Sequence, residues 1–176
     1  MIEVGDKSFS LFIDNSMIEE RIQALAIQIS QDYRGKAPLF VGILNGCFMF
    51  ASDLLKAVSI PCEISFIKVS SYQETSSTGQ LKELLGMKEN IEGRHVIIVE
   101  DIVDTGLTMS EIIGSIEKKD PASIEIVTLL LKPDALRKDI HPRYVGFEIA
   151  NRFVVGYGMD YNGLGRNLPD LYVLQE

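Results

Sequence analysis

The sequence predicts an α/β fold, a parallel sheet flanked by helices. Short apolar runs recur along the chain with helical segments between them. The clearest run, Leu39-Phe40-Val41-Gly42-Ile43-Leu44, is continuous rather than alternating, which marks a strand covered on both faces. Strands that alternate with helices pair in parallel and bind ligands at the carboxyl ends of the strands. The 176 residues fit a single domain, over 1–176, large enough to bury about 70% of its unfolded surface without a metal or disulfide staple.

Along the chain, residues 16–32 read as a helix. Ser16 and Glu19 have capping-box spacing, and Ile18, Ile22, Leu25 and Ile29 fall on one face. Gly35 and Pro38 stop it. The run 39–44 is a strand, ended by Asn45-Gly46, and a helix follows to about residue 55. Further strands are expected over 64–69, 95–99, 124–131 and 144–149. Helical segments are expected between the first two of these, after Val103 and near 133–138. The polar stretch from Ser70 to Gln80 leaves a strand at the edge where a ligand should sit, and so reads as a surface loop or as a mobile lid.

Composition excludes several classes of function. Hydrophobic residues make up 46% and charged residues 24%, which is globular rather than disordered. A net charge of −8 argues against a nucleic-acid partner, because phosphate backbones demand a basic face. No apolar run approaches the ~20 residues that cross a bilayer, and no signal peptide is evident at the start, so a cytoplasmic location without a membrane partner is expected. The two cysteines, Cys47 and Cys62, lack metal-type spacing and read as buried free thiols. His95 and His141 fall outside any chemical motif and read as structural.

The chemistry concentrates in Val96-Ile97-Ile98-Val99-Glu100-Asp101-Ile102-Val103-Asp104-Thr105-Gly106-Leu107-Thr108. Four apolar residues run into two adjacent carboxylates, and a third carboxylate, a Thr-Gly pair and another Thr follow before a helix with Ile112, Ile113 and Ile116 facing inward. Two acids at a poorly hydrated strand end are costly unless something satisfies them, such as vicinal ribose hydroxyls or a hydrated divalent cation. The loop from Asp104 to Thr108 offers backbone N–H groups, hydroxyls and the positive end of a helix dipole, which together cradle a phosphate. Sugar hydroxyls beside a phosphate suggest a ribose 5-phosphate. The plainer reading is a helix cap and a turn. The chain has neither a Walker loop nor a dinucleotide fingerprint.

Val99-Glu100-Asp101-Ile102-Val103-Asp104-Thr105-Gly106 resembles the phosphoribosyl pyrophosphate signature of the type I phosphoribosyltransferases. Leu129-Leu130-Leu131-Lys132-Pro133, Tyr144 through Ile149, and Arg152-Phe153-Val154-Val155-Gly156-Tyr157-Gly158-Met159-Asp160-Tyr161-Asn162 resemble, in order and spacing, the hypoxanthine-guanine branch of that family. The resemblance implies a Rossmann-like parallel sheet flanked by helices, with a core over about 36–150 and a small hood formed by the chain termini, about 1–15 and 151–176. It implies a purine salvage enzyme that joins hypoxanthine or guanine to phosphoribosyl pyrophosphate with Mg²⁺ as cofactor, working as a homodimer or homotetramer. Glu100 and Asp101 would engage the ribose hydroxyls and the metal, and Asp104 would be the general base. Asp104, Thr105, Gly106, Leu107 and Thr108 would hold the 5′-phosphate.

By the same resemblance Lys132 would read the 6-oxo group, Phe153 would stack on the purine and the Val154 backbone would meet its edge. Asp160 would lie at the purine site as a further metal ligand, Arg166 would contact pyrophosphate, and Ser71-Tyr72 would sit on a lid. Asn45 and Gly46 match the pyrophosphate loop, where the family aims its amides with a non-proline cis peptide. The chain departs from the family at Asn45, where lysine is usual. Two alternatives stay open at this stage. One is a ligand-sensing regulator, which should show a basic face. The other is an enzyme for another base, such as xanthine.

Overall fold

Burial of two apolar faces organises the molecule around one six-stranded sheet. The computed structural model describes residues 1–70 and 82–175. In chain order the elements are β1 (Ile2–Val4), β2 (Lys7–Ile13), α1 (Asn15–Asp32), β3 (Leu39–Leu44), α2 (Phe48–Ala57), β4 (Glu63–Ser70) and β5 (Lys82–Leu85). There follow β6 (His95–Val103), α3 (Leu107–Glu117), β7 (Ser123–Leu131), a 3-10 turn (Pro133–Ala135), β8 (Tyr144–Glu148), β9 (Val154–Val155) and β10 (Leu171–Leu174).

The main sheet runs β5-β4-β3-β6-β7-β8. Strands β4, β3, β6, β7 and β8 pair in parallel, and β5 lies antiparallel on the β4 edge. One face packs Phe40, Ile97, Val99 and Leu129 under Ile18, Ile22, Leu25 and Ile29 of α1 and Phe50 and Leu54 of α2. The other packs Leu39, Val41, Val96 and Ile98 under Met109, Ile112 and Ile116 of α3. Both faces are covered, which is why these strands read as unbroken apolar runs. Strands from the two chain ends form a second, four-stranded antiparallel sheet in the order β1-β2-β10-β9. No helix among the described residues is long and apolar enough to cross a membrane.

Four expectations need correction. The cap of α1 is Asp14, not Ser16. Asp14 has the extended backbone of an N-cap, φ −77° and ψ 160°, and its carboxylate accepts from the Met17 amide at 3.0 Å. Ser16 lies already inside the helix, and Glu19 accepts instead from the Asn15 side-chain amide at 2.6 Å. Between β4 and β6 the described residues hold strand β5 and no helix. The helix expected near 133–138 is a single 3-10 turn over Pro133–Ala135. Finally, β6 continues past Val99 to Val103, because Ile102 and Val103 still pair with Leu130 and Leu131 of β7. Glu100 and Asp101 therefore sit within a strand.

Candidate active site

The site is built where the carboxyl ends of β3, β6 and β7 meet the second sheet. Glu100 and Asp101 stand side by side on β6 and use backbone amides as partners. Glu100 Oε1 accepts from the Asp101 N–H at 3.2 Å, and Asp101 Oδ1 accepts from the Ile102 N–H at 2.9 Å. Burial pushes both carboxyls above the usual carboxylate range. Glu100 goes well above it because the neighbouring Asp101 charge adds to the burial, whereas amide hydrogen bonds and the field of Arg166 partly offset the rise at Asp101.

The loop after β6 turns at Gly106, whose φ of 75° is left-handed and costs glycine nothing. A Cβ there would also press on Ile140 at 3.2 Å. Helix α3 starts at once, with Ser110 N–H donating to the Gly106 carbonyl at 2.9 Å and Leu107 N–H reaching Thr105 Oγ1 only at 3.5 Å. Glu100, Asp101, Asp104, Thr105, Gly106 and Thr108 line a cavity of about 230 Å³ here. Leu107, expected at this site, has an exposed side chain and does not line the cavity.

A second cavity of about 230 Å³ shares Asp101, Ile102 and Asp104 with the first and adds Lys132, Phe153, Val154, Met159 and Asp160. Lys132 leaves β7 with its backbone N–H held by the Val103 carbonyl at 3.0 Å. Its side chain is buried, and its Nζ lies 2.9 Å from Asp104 Oδ2. A buried ammonium demands such a partner. Phe153 faces the same cavity with 45% of its surface exposed. Its ring is backed by Phe9 at 6.3 Å and edge-on by Tyr161 at 5.9 Å, and the Tyr161 hydroxyl donates to Asp6 at 2.8 Å.

Asp160 and Arg166 pair with one another, Nη2 to Oδ1 at 2.6 Å. Arg166 Nη1 also donates to the Gly158 carbonyl at 2.7 Å, and Asp160 Oδ2 accepts from the Gly163 N–H at 2.7 Å. The Leu44–Asn45 peptide is cis. Gly46 lies against Asp101 so closely that a Cβ would fall 1.7 Å from its Oδ2. The structure thus gathers Glu100, Asp101, Asp104, Thr105, Gly106, Thr108, Lys132, Phe153, Val154 and Asp160 around two adjoining cavities, and leaves Leu107 outside both linings. Gly46 and Arg166 join through contacts with Asp101 and Asp160. Asn45 lines neither cavity, and Ser71 and Tyr72 lie outside the described residues.

His95 accepts or donates at Ser123 Oγ, 2.7 Å away, and packs edge-on against Tyr33, while exposed His141 pairs with Asp139. Neither approaches the cavities. Cys47 is buried, and burial pushes its thiol far up, so it is unreactive; Cys62 is only half-buried. The sequence reading gave no role to Asp53, or to Tyr157 beyond its place in the resembling segment, yet the two join the chain after β9 to α2 beside the site. The glycines flanking Tyr157 were its only local signal.

A profile of the phosphoribosyl transferase domain matches residues 13–162. The hypoxanthine-guanine-xanthine phosphoribosyltransferase of Tritrichomonas foetus is 41% identical over 160 residues, which cover 90% of this chain and 87% of that protein. The hypoxanthine-guanine phosphoribosyltransferase of Bacillus subtilis is 39% identical over 166 residues, covering 94% and 92%. Among solved structures, the hypoxanthine phosphoribosyltransferase of Trypanosoma cruzi in complex with the product IMP superposes with a TM-score of 0.90 at 39% identity, over 99% of this chain and 98% of that one. On fold, sequence and span together, the chain belongs to the hypoxanthine-guanine phosphoribosyltransferases, within the phosphoribosyltransferase domain family.

Proposed function

We propose that this chain is a pentosyltransferase of purine salvage that moves the 5-phosphoribosyl group of phosphoribosyl pyrophosphate to hypoxanthine or guanine, giving IMP or GMP and pyrophosphate. The observation that carries this reading is the Lys132–Asp104 pair, 2.9 Å apart, facing Phe153 across one cavity. A cation, a carboxylate and an aromatic ring around one cavity support a reading in which one planar base meets all three.

In the reaction the bond from C1′ to pyrophosphate oxygen breaks and a bond forms from C1′ to purine nitrogen 9. The proton on nitrogen 7 passes to Asp104. No hydrogen bond among the described residues engages Asp104 Oδ1, so that oxygen can take the proton while Oδ2 stays with Lys132. A positioned base is worth about 10²–10⁴-fold in rate. Lys132 has three donors and spends one on Asp104, leaving others for the 6-oxo group. An adenine amino group would bring hydrogens against that ammonium and be rejected. Phe153 stacks on the ring, and the Val154 backbone meets its edge.

The amides and hydroxyls of Asp104, Thr105, Gly106, Leu107 and Thr108 hold the 5′-phosphate at the α3 N-terminus. Asn45 and Gly46 supply backbone groups to the pyrophosphate, Arg166 adds a cation, and Ser71-Tyr72 belong to a lid. Glu100 and Asp101 bind the ribose hydroxyls. Their adjacent carboxylates are also hard oxygen donors and, once ionised, would fit Mg²⁺, a cation that takes one or two protein carboxylates together with water and substrate oxygens. Asp160 is a further candidate ligand from the other side of the cavity. A bound ion would supply positive charge against the departing pyrophosphate. By the family resemblance we also place the enzyme in the cytoplasm as a homodimer or homotetramer, which light scattering on the eluted protein tests. The central test is turnover of hypoxanthine, guanine, xanthine and adenine with phosphoribosyl pyrophosphate and Mg²⁺. The two oxopurines named should react and adenine should not; no turnover of either refutes the reading.

A further inference from the structure

Two segments flank the proposed pyrophosphate site, and they come from opposite ends of the fold. The first is the Asn45-Gly46-Cys47 loop, which leads straight into α2, with Phe48 N–H donating to the Asn45 carbonyl at 3.3 Å and Ala51 N–H to the Cys47 carbonyl at 2.7 Å. The second runs from Gly156 to Arg166 and carries Asp160 and Arg166. They approach closely through the backbone, since a Cβ on Gly158 would lie 2.0 Å from the Gly46 carbonyl oxygen.

A second attachment lies beside it. Tyr157, only 1% exposed, donates its hydroxyl to Asp53 Oδ2 on α2 at 2.5 Å. Asp53 rides on the same helix that the Asn45–Cys47 loop begins, so the hydrogen bond closes a ring: loop, α2, Asp53, Tyr157, Gly158 and back to Gly46. The rest of the segment hangs from this point. Tyr157 N–H donates to the Leu168 carbonyl at 2.8 Å and Gly158 N–H to the Arg166 carbonyl at 3.0 Å. The Arg166 guanidinium returns to the Gly158 carbonyl at 2.7 Å and holds Asp160 at 2.6 Å.

Tyr157 itself is left-handed, with φ of 46°, an arrangement that disfavours a bulky residue. Its neighbours Gly156 and Gly158 have φ of 102° and 99° and no space for a side chain, since a Cβ on Gly156 would lie 2.1 Å from the Asp170 carbonyl oxygen. The chain accepts an unfavourable backbone here, and what it gains is the direction of the Tyr157 hydroxyl. A merely space-filling ring would need neither the hydroxyl nor a charged acceptor. Lys56, 2.6 Å from Asp53 Oδ1, leaves Oδ2 for Tyr157.

We infer that Tyr157 and Asp53 are positioning residues for pyrophosphate: their hydrogen bond registers the Asp160–Arg166 pair against the Asn45–Gly46 loop, so that the leaving group meets both at once. The pair touches no substrate and lies outside the purine cavity, so its effect falls on phosphoribosyl pyrophosphate and not on the base. The inference rests on the substrate reading given above. It assigns a role to two residues that the motif leaves without one.

The test uses the full-length protein. Tyr157→Phe deletes only the hydroxyl and should raise KM for phosphoribosyl pyrophosphate about tenfold, with KM for hypoxanthine within about twofold of wild type. Asp53→Ala should reproduce that change, and Asp53→Asn, which keeps an accepting oxygen, should restore wild-type values. The double variant Tyr157→Phe/Asp53→Ala should be no worse than either single change, as expected for one shared interaction. Calorimetric titration of Mg²⁺ with inorganic pyrophosphate should show the same loss of affinity. An unchanged KM for phosphoribosyl pyrophosphate, a parallel rise for hypoxanthine, or additive single effects would each overturn the inference. Asp53 is partly exposed on α2, so its variants carry the test if Tyr157→Phe folds poorly. If the wild type turns over no oxopurine, the substrate reading fails first, and the pyrophosphate titration still decides whether the hydrogen bond shapes this anion site.

Discussion

The two ends of the main sheet each hold a pair of acids, and they treat them in opposite ways. At the amino ends of the strands, Asp32 and Glu125 share Arg143, which lies 3.0 Å from Asp32 Oδ2 and 3.6 Å from Glu125 Oε1. The Tyr144 hydroxyl donates to Asp32 as well, at 2.8 Å. Every charge there has a partner. At the carboxyl ends, Glu100 and Asp101 stand together without an ion pair among the described residues, and burial raises their affinity for protons. An acid pair left uncompensated in a covered position costs stability, and a fold keeps one where a ligand will supply the compensation. On the function proposed above, the contrast separates charge that holds the fold from charge that meets a substrate.

The contrast can be broken by substitution at either end. The largest effect should be Asp104→Asn, which lowers kcat by about 10²–10⁴-fold while nucleotide still binds. Single-turnover kinetics beside IMP titration checks this, and an unchanged rate removes Asp104 from the base role. Lys132→Ala should reduce the preference for guanine over adenine by about 10–100-fold, the value of a hydrogen bond from a charged donor. Equal discrimination in the variant would show that the ammonium does not read the 6-oxo group.

At the opposite end Arg143→Met should lower stability by about 1 kcal/mol, since it strips a half-exposed cation from two acids, and should leave kcat untouched. A change in kcat without a change in denaturation midpoint would invert the comparison. The smallest effect is a gain. Glu100 holds its proton more tightly in the folded chain than in the unfolded one, so stability falls as pH rises from the ordinary carboxylate range toward its raised value. Glu100→Gln should therefore melt above wild type at pH 8 and level with it at pH 4, as thermal melts without ligand would record. A variant less stable than wild type at pH 8 would mean that the Glu100 charge is already satisfied.

Much of the fold was legible because its signals are local. The apolar run of β3 and the helical stripe of Ile18, Ile22, Leu25 and Ile29 each depend on residues within a few positions of one another. The same holds for the stretch from Asp104 to Thr108, whose acid, Thr-Gly pair and following helix are contiguous. The start of α1 was misread because Ser16 and Asp14 both suit a cap, and the backbone leaving β2 decided between them. Strand β5 was not foreseen, because nothing near Lys82 reveals that the β4 edge lies open for antiparallel pairing. The extension of β6 through Glu100 and Asp101 depends on β7, whose leucines pair with Ile102 and Val103.

By itself, then, the sequence determined the alternation of strand and helix, the acids toward the carboxyl end of β6 and the glycine turn at Gly106 that opens α3. These follow from side-chain period and turn chemistry, which act over a few residues. Tertiary structure alone decided that Lys132 meets Asp104, that Phe153 is braced by Phe9 and Tyr161, that Gly46 touches Asp101, and that Tyr157 reaches Asp53. Each of those joins residues far apart in the chain, and their distances are set by strand register and by the packing of the second sheet on the helices. The reaction needs that second kind of information, because proton transfer and hydrogen bonding act over about 3 Å and neighbours in sequence seldom supply every partner.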